Sequence, residues 1–208
     1  MRNFFKRLSR LASSNAEARS AMQNIWFILG RSGSGKTYFA NYLSKKHYWL
    51  HLDIDQLYII GKNTYGDGID TYRLRQVWSY FAVNKITGPL VEAITEQYRD
   101  AGRSGAVLSF PSNYIIEIED IKELEKDIRV VYLSGNKEGC LKSFLLRETK
   151  KSMVPTGKDK TVHWEEYNAD LANYLSMPLL RPYKIEVFYD NGVRKPPGKI
   201  YDEINCLD

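Results

Sequence analysis

Apolar and polar positions fall in alternating blocks along this chain. Ile25-Trp26-Phe27-Ile28-Leu29 is a continuous apolar run, the pattern of a strand buried on both faces. Residues 38–46 follow with Phe39, Tyr42 and Leu43 on one face at helical spacing. Residues 49–54 predict a second strand. Residues 70–99 form a long helical stretch interrupted near Gly88-Pro89, which predicts two helices. A third strand is expected over 106–110, ended by Pro111, then an acid-rich helix over 115–126. A fourth strand over 128–133 and a helix over 137–147 come next. Residues 148–161 contain Pro155 and Gly157, show no period and read as a mobile loop. Helical spacing resumes over 164–175, and 184–189 predicts a fifth strand. Turns at Asn191-Gly192 and Pro196-Pro197-Gly198 lead into a short last helix up to Asn205. Strands alternating with helices predict an α/β domain, a three-layer sandwich on a five-stranded parallel sheet.

Composition narrows the class without changing the fold. The chain has 208 residues, room for one domain with a small lid. With 43% hydrophobic and 26% charged residues it has the balance of an ordinary globular protein, and no apolar run is long enough to cross a bilayer. Cys140 and Cys206 have no metal-like spacing, which argues against a disulfide framework or a zinc site and points to a reducing, cytoplasmic setting. The net charge of +5 suits phosphate handling and does not by itself indicate nucleic acid. Much of the excess lies in residues 1–22, where Arg2, Lys6, Arg7, Arg10 and Arg19 face a single acid, Glu17, and Phe4, Phe5, Leu8 and Leu11 fall at helical spacing. Three readings stand for that segment: a basic amphipathic helix docked on the domain, a membrane-surface or nucleic-acid contact, or a transit-like leader. The domain proper is expected over 23–208, with its lid at about 148–163. Oligomeric state is not legible.

The chemistry starts at Gly30-Arg31-Ser32-Gly33-Ser34-Gly35-Lys36-Thr37. It fits G-x-x-x-x-G-K-[ST], the phosphate-binding P-loop, and stands between a strand and a helix as that loop requires. Glycines let the backbone wrap a polyphosphate with its N–H groups inward, and the following helix adds its positive end. The expected nucleotide contacts are Gly30, Ser32, Gly33, Ser34, Gly35, Lys36, Thr37 and Tyr38. Lys36 would reach the β- and γ-phosphates of ATP and Thr37 would offer its hydroxyl to Mg²⁺.

A second constellation is Asp53-Ile54-Asp55, where the second strand ends. Ligands of open parallel sheets sit beyond the carboxyl ends of the strands. Two carboxylates there can divide the work, one holding Mg²⁺ and the other receiving the proton of an acceptor hydroxyl. The plainer reading is a solvated pair, or an N-cap for the next helix. The third strand ends Ser109-Phe110-Pro111, without the acid of a Walker B strand, which counts against motor-type and signalling ATPases. Ser109, Ser112 and Asn113 stand where they could hydrogen-bond an acceptor. Arg73 and Arg75 either bind an anionic acceptor or line a wet helix face. His47, His51 and His163 show no partner pattern.

Together these residues resemble the small-molecule kinases of the shikimate kinase and gluconate kinase group, relatives of the nucleoside monophosphate kinases, over most of 25–205. Asp53-Ile54-Asp55 is similar to the D-x-D of shikimate kinases, which implies Asp53 on the Mg²⁺ side and Asp55 on the acceptor hydroxyl. Tyr72-Arg73-Leu74-Arg75-Gln76 is similar to their F-R-x-x-E and implies Arg73 as an acceptor-binding residue. Arg147 stands at the place of the first lid arginine, which clamps nucleotide phosphates. Val131-Tyr132-Leu133-Ser134-Gly135 looks like the corresponding gluconate kinase segment. Tyr189-Asp190-Asn191-Gly192 onward, with Pro196, resembles the loop that borders the adenine.

The chain also departs from the group. Phe110-Pro111-Ser112-Asn113 replaces the glycine triplet of shikimate kinases, Gln76 replaces a Glu, the Cys-Ser-Ala-Leu-Lys-type segment of gluconate kinases is missing, and the lid has no clean R-x-x-x-R. The expectation is therefore an ATP- and Mg²⁺-dependent kinase with an unidentified small-molecule acceptor. A polynucleotide 5′-kinase and a nucleotide-binding regulatory module with little turnover are the alternatives.

Overall fold

Strand β1, Ile25–Gly30, is buried at every position, and its side chains divide between two cores. Ile25, Phe27 and Leu29 face α2 (Thr71–Asn84), α3 (Gly88–Asp100) and α4 (Ile118–Leu124). Trp26 and Ile28 face α1 (Lys36–His47), α5 (Lys137–Glu148) and α7 (Pro197–Asn205). Helix α6 (Lys160–Leu175) serves both, with Leu171 and Leu175 in the first core and Trp164 in the second. A strand with apolar residues on both faces cannot leave either face to water, so helices cover both sides. Phe27 is fully buried, with the rings of Phe110 and Trp78 at 5.1 and 5.7 Å. Its truncation to Ala would remove about 3–5 kcal/mol. Residues 24–54, 71–149 and 157–206 are described by the computed structural model, 71 and 72 by their backbone alone.

Among these residues the sheet has five strands in the order β2-β3-β1-β4-β5, every pairing parallel: β2 is Trp49–Asp53, β3 Gly105–Ser109, β4 Arg129–Ser134 and β5 Lys184–Glu186. Strand β3 therefore lies between β1 and β2. The residues after β1 meet those after β3 first, and Asp53 at the end of β2 stands across from Ser109 in register. No described helix is long and apolar enough to cross a membrane.

The elements follow the periodicity closely, with instructive differences. Helix α4 is shorter than the expected 115–126, because the backbone of Ile116 is held by tertiary contacts: its N–H donates to the Tyr132 hydroxyl at 3.2 Å and its carbonyl accepts from Tyr174 at 2.6 Å. Helix α6 begins at Lys160, inside the stretch read as loop, because the Asp159 carboxylate accepts from the N–H groups of Thr161 and Val162, both at 2.9 Å. Strand β5 ends early because the chain turns back at Asn191-Gly192 and Phe188 bridges Arg194 in antiparallel fashion. A 3₁₀ turn, Pro178–Tyr183, precedes it. The break between α2 and α3 falls at residues 85–87, with Lys85 at φ 57°. The readings made for residues 1–22, for Asp55 and for the loop over 150–156 lie outside the described residues.

Candidate active site

The carboxyl ends of the strands converge on the loop that follows β1. The loop makes a tight turn, with the Ser34 N–H donating to the Arg31 carbonyl at 3.1 Å, and passes into α1 through Gly35. Two glycines there are sterically obligatory. Gly33 has φ +88° and a Cβ would lie 2.0 Å from the Cys140 carbonyl; Gly35 has φ +95° and a Cβ would lie 2.2 Å from Arg194 Nη1. The loop is thus closely backed by α5 and by the chain before α7.

Polar contacts hold the loop from outside. The Trp164 indole N–H donates to the Ser32 carbonyl at 2.9 Å, and the Ser32 N–H donates to Asn168 Oδ1 at 2.9 Å. Asn168 in turn donates to the Trp164 carbonyl at 2.6 Å. All three residues are buried, so these bonds satisfy groups that water does not reach. Arg194 donates to the carbonyls of Ser34 at 2.6 Å and Gly33 at 2.5 Å.

At the loop's mouth lies the Lys36 ammonium. It donates to the carbonyls of Gly30 at 2.7 Å and Arg31 at 3.2 Å and to the Ser112 hydroxyl at 3.0 Å. Ser112 belongs to a turn after β3 in which the Tyr114 N–H donates to the Pro111 carbonyl at 3.1 Å. Thr37 and Tyr38 are exposed in the first turn of α1.

Behind the end of β3 is a polar relay that runs from buried Ser109 and His51 to exposed Asn41. Ser109, 2% exposed, contacts His51 Nε2 at 2.9 Å, and His51 Nδ1 contacts Asn41 Oδ1 at 3.0 Å. Burial pushes the His51 imidazole down to about 4, so it is neutral at neutral pH. With the Asn41 carbonyl oxygen as acceptor, Nδ1 carries the proton and Nε2 accepts from the Ser109 hydroxyl. Asp53 is 8% exposed at the end of β2, opposite Ser109.

The other residues singled out from the sequence are spread around this centre. Arg147, in the last turn of α5, donates to the Ser32 hydroxyl at 3.3 Å and lies over the Phe144 ring at 5.2 Å. Arg73 pairs with Glu96 of α3, and Arg75 is exposed on the same helix, α2. Pro196 is exposed and caps α7. Ser112 meets Lys36, a contact that the sequence reading left with the acceptor. Arg194, Trp164, Asn168 and His51 are site neighbours that the sequence did not disclose, because each joins it over a long stretch of chain.

For a divalent cation, the Thr37 hydroxyl and the Asp53 carboxylate are hard oxygen donors of the kind Mg²⁺ takes while keeping several waters. No group of three or more His, Cys, Asp or Glu that could hold a metal occurs among the described residues.

No family model matches the chain, and no curated protein matches it. Solved structures do. A shikimate kinase from Acinetobacter baumannii, in complex with shikimate, is 18% identical at TM-score 0.47, over 88% of this chain and 94% of that one. A gluconokinase from Sinorhizobium meliloti 1021 is 14% identical at TM-score 0.46, over 89% and 91%. A shikimate kinase from Bacteroides thetaiotaomicron is 13% identical at TM-score 0.46, over 88% and 94%.

Proposed function

We propose that this protein is an ATP-dependent phosphotransferase that moves the γ-phosphoryl group to a small-molecule acceptor, working in the cytoplasm. The observation that carries the reading is the Lys36 ammonium at the mouth of a glycine-bound loop, between the loop's own carbonyls and Ser112, at the carboxyl ends of a parallel sheet. A cation, a helix start and a nest of amides in one place suit a polyphosphate.

The residues take the following roles. Loop amides beyond those of Ser32 and Ser34, which bond Asn168 and the Arg31 carbonyl, hold the phosphates together with Lys36 and neutralise charge that grows during transfer. Thr37 and Asp53 would hold Mg²⁺, which would supply positive charge to the phosphates. Asp55, just beyond β2, orients the acceptor hydroxyl and receives its proton. The Ser109 hydroxyl donates its hydrogen bond to His51, so toward a small-molecule acceptor it offers an oxygen lone pair. Arg73, which pairs with Glu96, and Arg75 supply positive charge toward an anionic acceptor. Arg147 reaches the loop's outer edge at Ser32 and closes on the phosphates, while Pro196 borders the base. Catalysis by such a site is positioning and charge stabilisation, with no covalent intermediate on the protein.

Calorimetric titration of Mg·ATP into wild-type protein and Lys36→Ala tests the binding half of this reading. Binding by the wild type that Lys36→Ala weakens by roughly ten- to hundredfold supports it. Equal affinity in the two proteins places the nucleotide elsewhere and removes the reading.

A further inference from the structure

Arg194 lies outside the phosphate-binding motif by a long stretch of chain, yet its guanidinium makes two of the bonds that shape the loop. Nη1 donates to the Ser34 carbonyl at 2.6 Å and Nη2 to the Gly33 carbonyl at 2.5 Å. Nη2 also donates to the Ser143 hydroxyl of α5 at 2.9 Å, and the plane of the group lies over the Phe188 ring at 4.7 Å. The side chain is thereby fixed from below by an aromatic face, laterally by α5 and in front by the loop. The fit is close enough that Gly35 has no space for a methyl group on that side.

In a trans peptide the C=O and the following N–H point in opposite directions. A fork that holds the Gly33 and Ser34 carbonyls outward therefore turns the N–H groups of Ser34 and Gly35 away from Arg194. The Ser34 N–H is the one that closes the inner turn on the Arg31 carbonyl. The Gly35 N–H points away from the fork by the same rule. Lysine cannot do this, because an ammonium is a point charge with no planar pair of donors.

The geometry points to Arg194 as a positioning residue for the phosphate nest: its fork sets the Gly33–Ser34 peptide plane for the inner turn and the Ser34–Gly35 plane so that the Gly35 amide faces a polyphosphate. This rests on the nucleotide reading above and deepens it. It also couples the segment between β5 and α7 to the loop, so that a base and its phosphates are presented by one rigid unit.

The probe is inorganic tripolyphosphate, which has neither base nor ribose, so that a lost contact to adenine cannot imitate the effect. Titration into wild type and Arg194→Ala is expected to show affinity weakened by roughly ten- to hundredfold in the variant, the scale of losing two charge-assisted hydrogen bonds. Methylguanidinium restores part of the loss. Arg194→Lys, which keeps the charge and most of the stem, serves if Arg194→Ala does not fold, and stays weak. The amide resonance of Gly35 in the ligand-free protein moves in both variants. Wild-type affinity for tripolyphosphate in a folded Arg194→Ala or Arg194→Lys overturns the positioning role alone. Failure of the wild type to bind either tripolyphosphate or ATP overturns the nucleotide reading and the positioning role with it.

Discussion

Lys36 and Ser112, 76 residues apart in sequence, meet at 3.0 Å between the ends of β1 and β3. The contact joins the helix after the phosphate loop to the turn after the neighbouring strand. It stands where a strand ending in an acid would otherwise have faced the loop. A neutral hydroxyl there orients the ammonium without cancelling its charge. Ser112→Ala is expected to weaken Mg·ATP by about tenfold, the order of one hydrogen bond to a charged group. Lys36→Ala loses more, about 10²–10³-fold in turnover. A double-mutant cycle checks the link: the double variant is expected to be no worse than Lys36→Ala alone. Additive losses would show that the two side chains act separately.

Gly33 tests how tightly the loop is backed. Its φ of +88° disfavours any L side chain, and a methyl group would meet the Cys140 carbonyl at 2.0 Å. Backbone cannot move aside as a side chain can. Gly33→Ala should remove about 2 kcal/mol or more, which for a chain of this size lowers Tm by roughly 4–8 °C or more. Unchanged thermal melting would mean that the loop is not held against α5.

Trp164 is the buried donor to the Ser32 carbonyl. Trp164→Phe keeps most of the apolar contact and removes the N–H, leaving a carbonyl that water does not reach. A loss of about 1–3 kcal/mol is expected, as a lower urea midpoint with the slope unchanged. ATP affinity falls with it, because Ser32 is held at both of its peptides, its carbonyl by Trp164 and its N–H by Asn168.

His51 predicts a pH dependence of stability. Burial holds its imidazole at about 4, below the ordinary 6.5. Between those values the unfolded chain binds a proton that the folded protein refuses. The stability tied to neutral His51 is complete above about pH 6.5 and is lost as pH falls toward 4, by about 3 kcal/mol in all. His51→Gln removes this titration. Denaturation curves from pH 7 to 4 should therefore show the difference between wild type and His51→Gln shrinking as acid is added. Curves that stay parallel would show that the ring is not held neutral.

How much of this was legible follows from the range over which each feature is encoded. The strand, turn and first helix are written in consecutive residues, since β1 must be apolar at every position and the loop needs glycine where φ is positive. The five-stranded parallel sheet follows from alternating periods. The shortening of α4 was not legible, because it depends on hydroxyls from Tyr132 and Tyr174 reaching one backbone group. Nor was the His51–Ser109 relay, which forms only when β2 and β3 pair. The role of Arg194 was hidden for the same reason: an arginine between two turns has no local signature, and only the return of the chain past β5 brings its fork to the loop. Placement of Arg73 beside Glu96 likewise needed α2 and α3 to pack.

The most direct test of the account is Mg·ATP turnover by the purified protein with a panel of acceptors: sugars and sugar acids, shikimate, nucleosides, nucleoside monophosphates and 5′-hydroxyl oligonucleotides. Lys36→Ala and Asp55→Asn are run beside the wild type. The account predicts that one small acceptor stimulates ADP release and appears phosphorylated, and that both variants lose the stimulation while Asp55→Asn still binds Mg·ATP. Stimulation by oligonucleotides alone would replace the small acceptor with a polynucleotide end. Tight ATP binding with no acceptor-stimulated turnover across the panel, in the wild type as in both variants, would contradict phosphoryl transfer and leave a nucleotide-binding module.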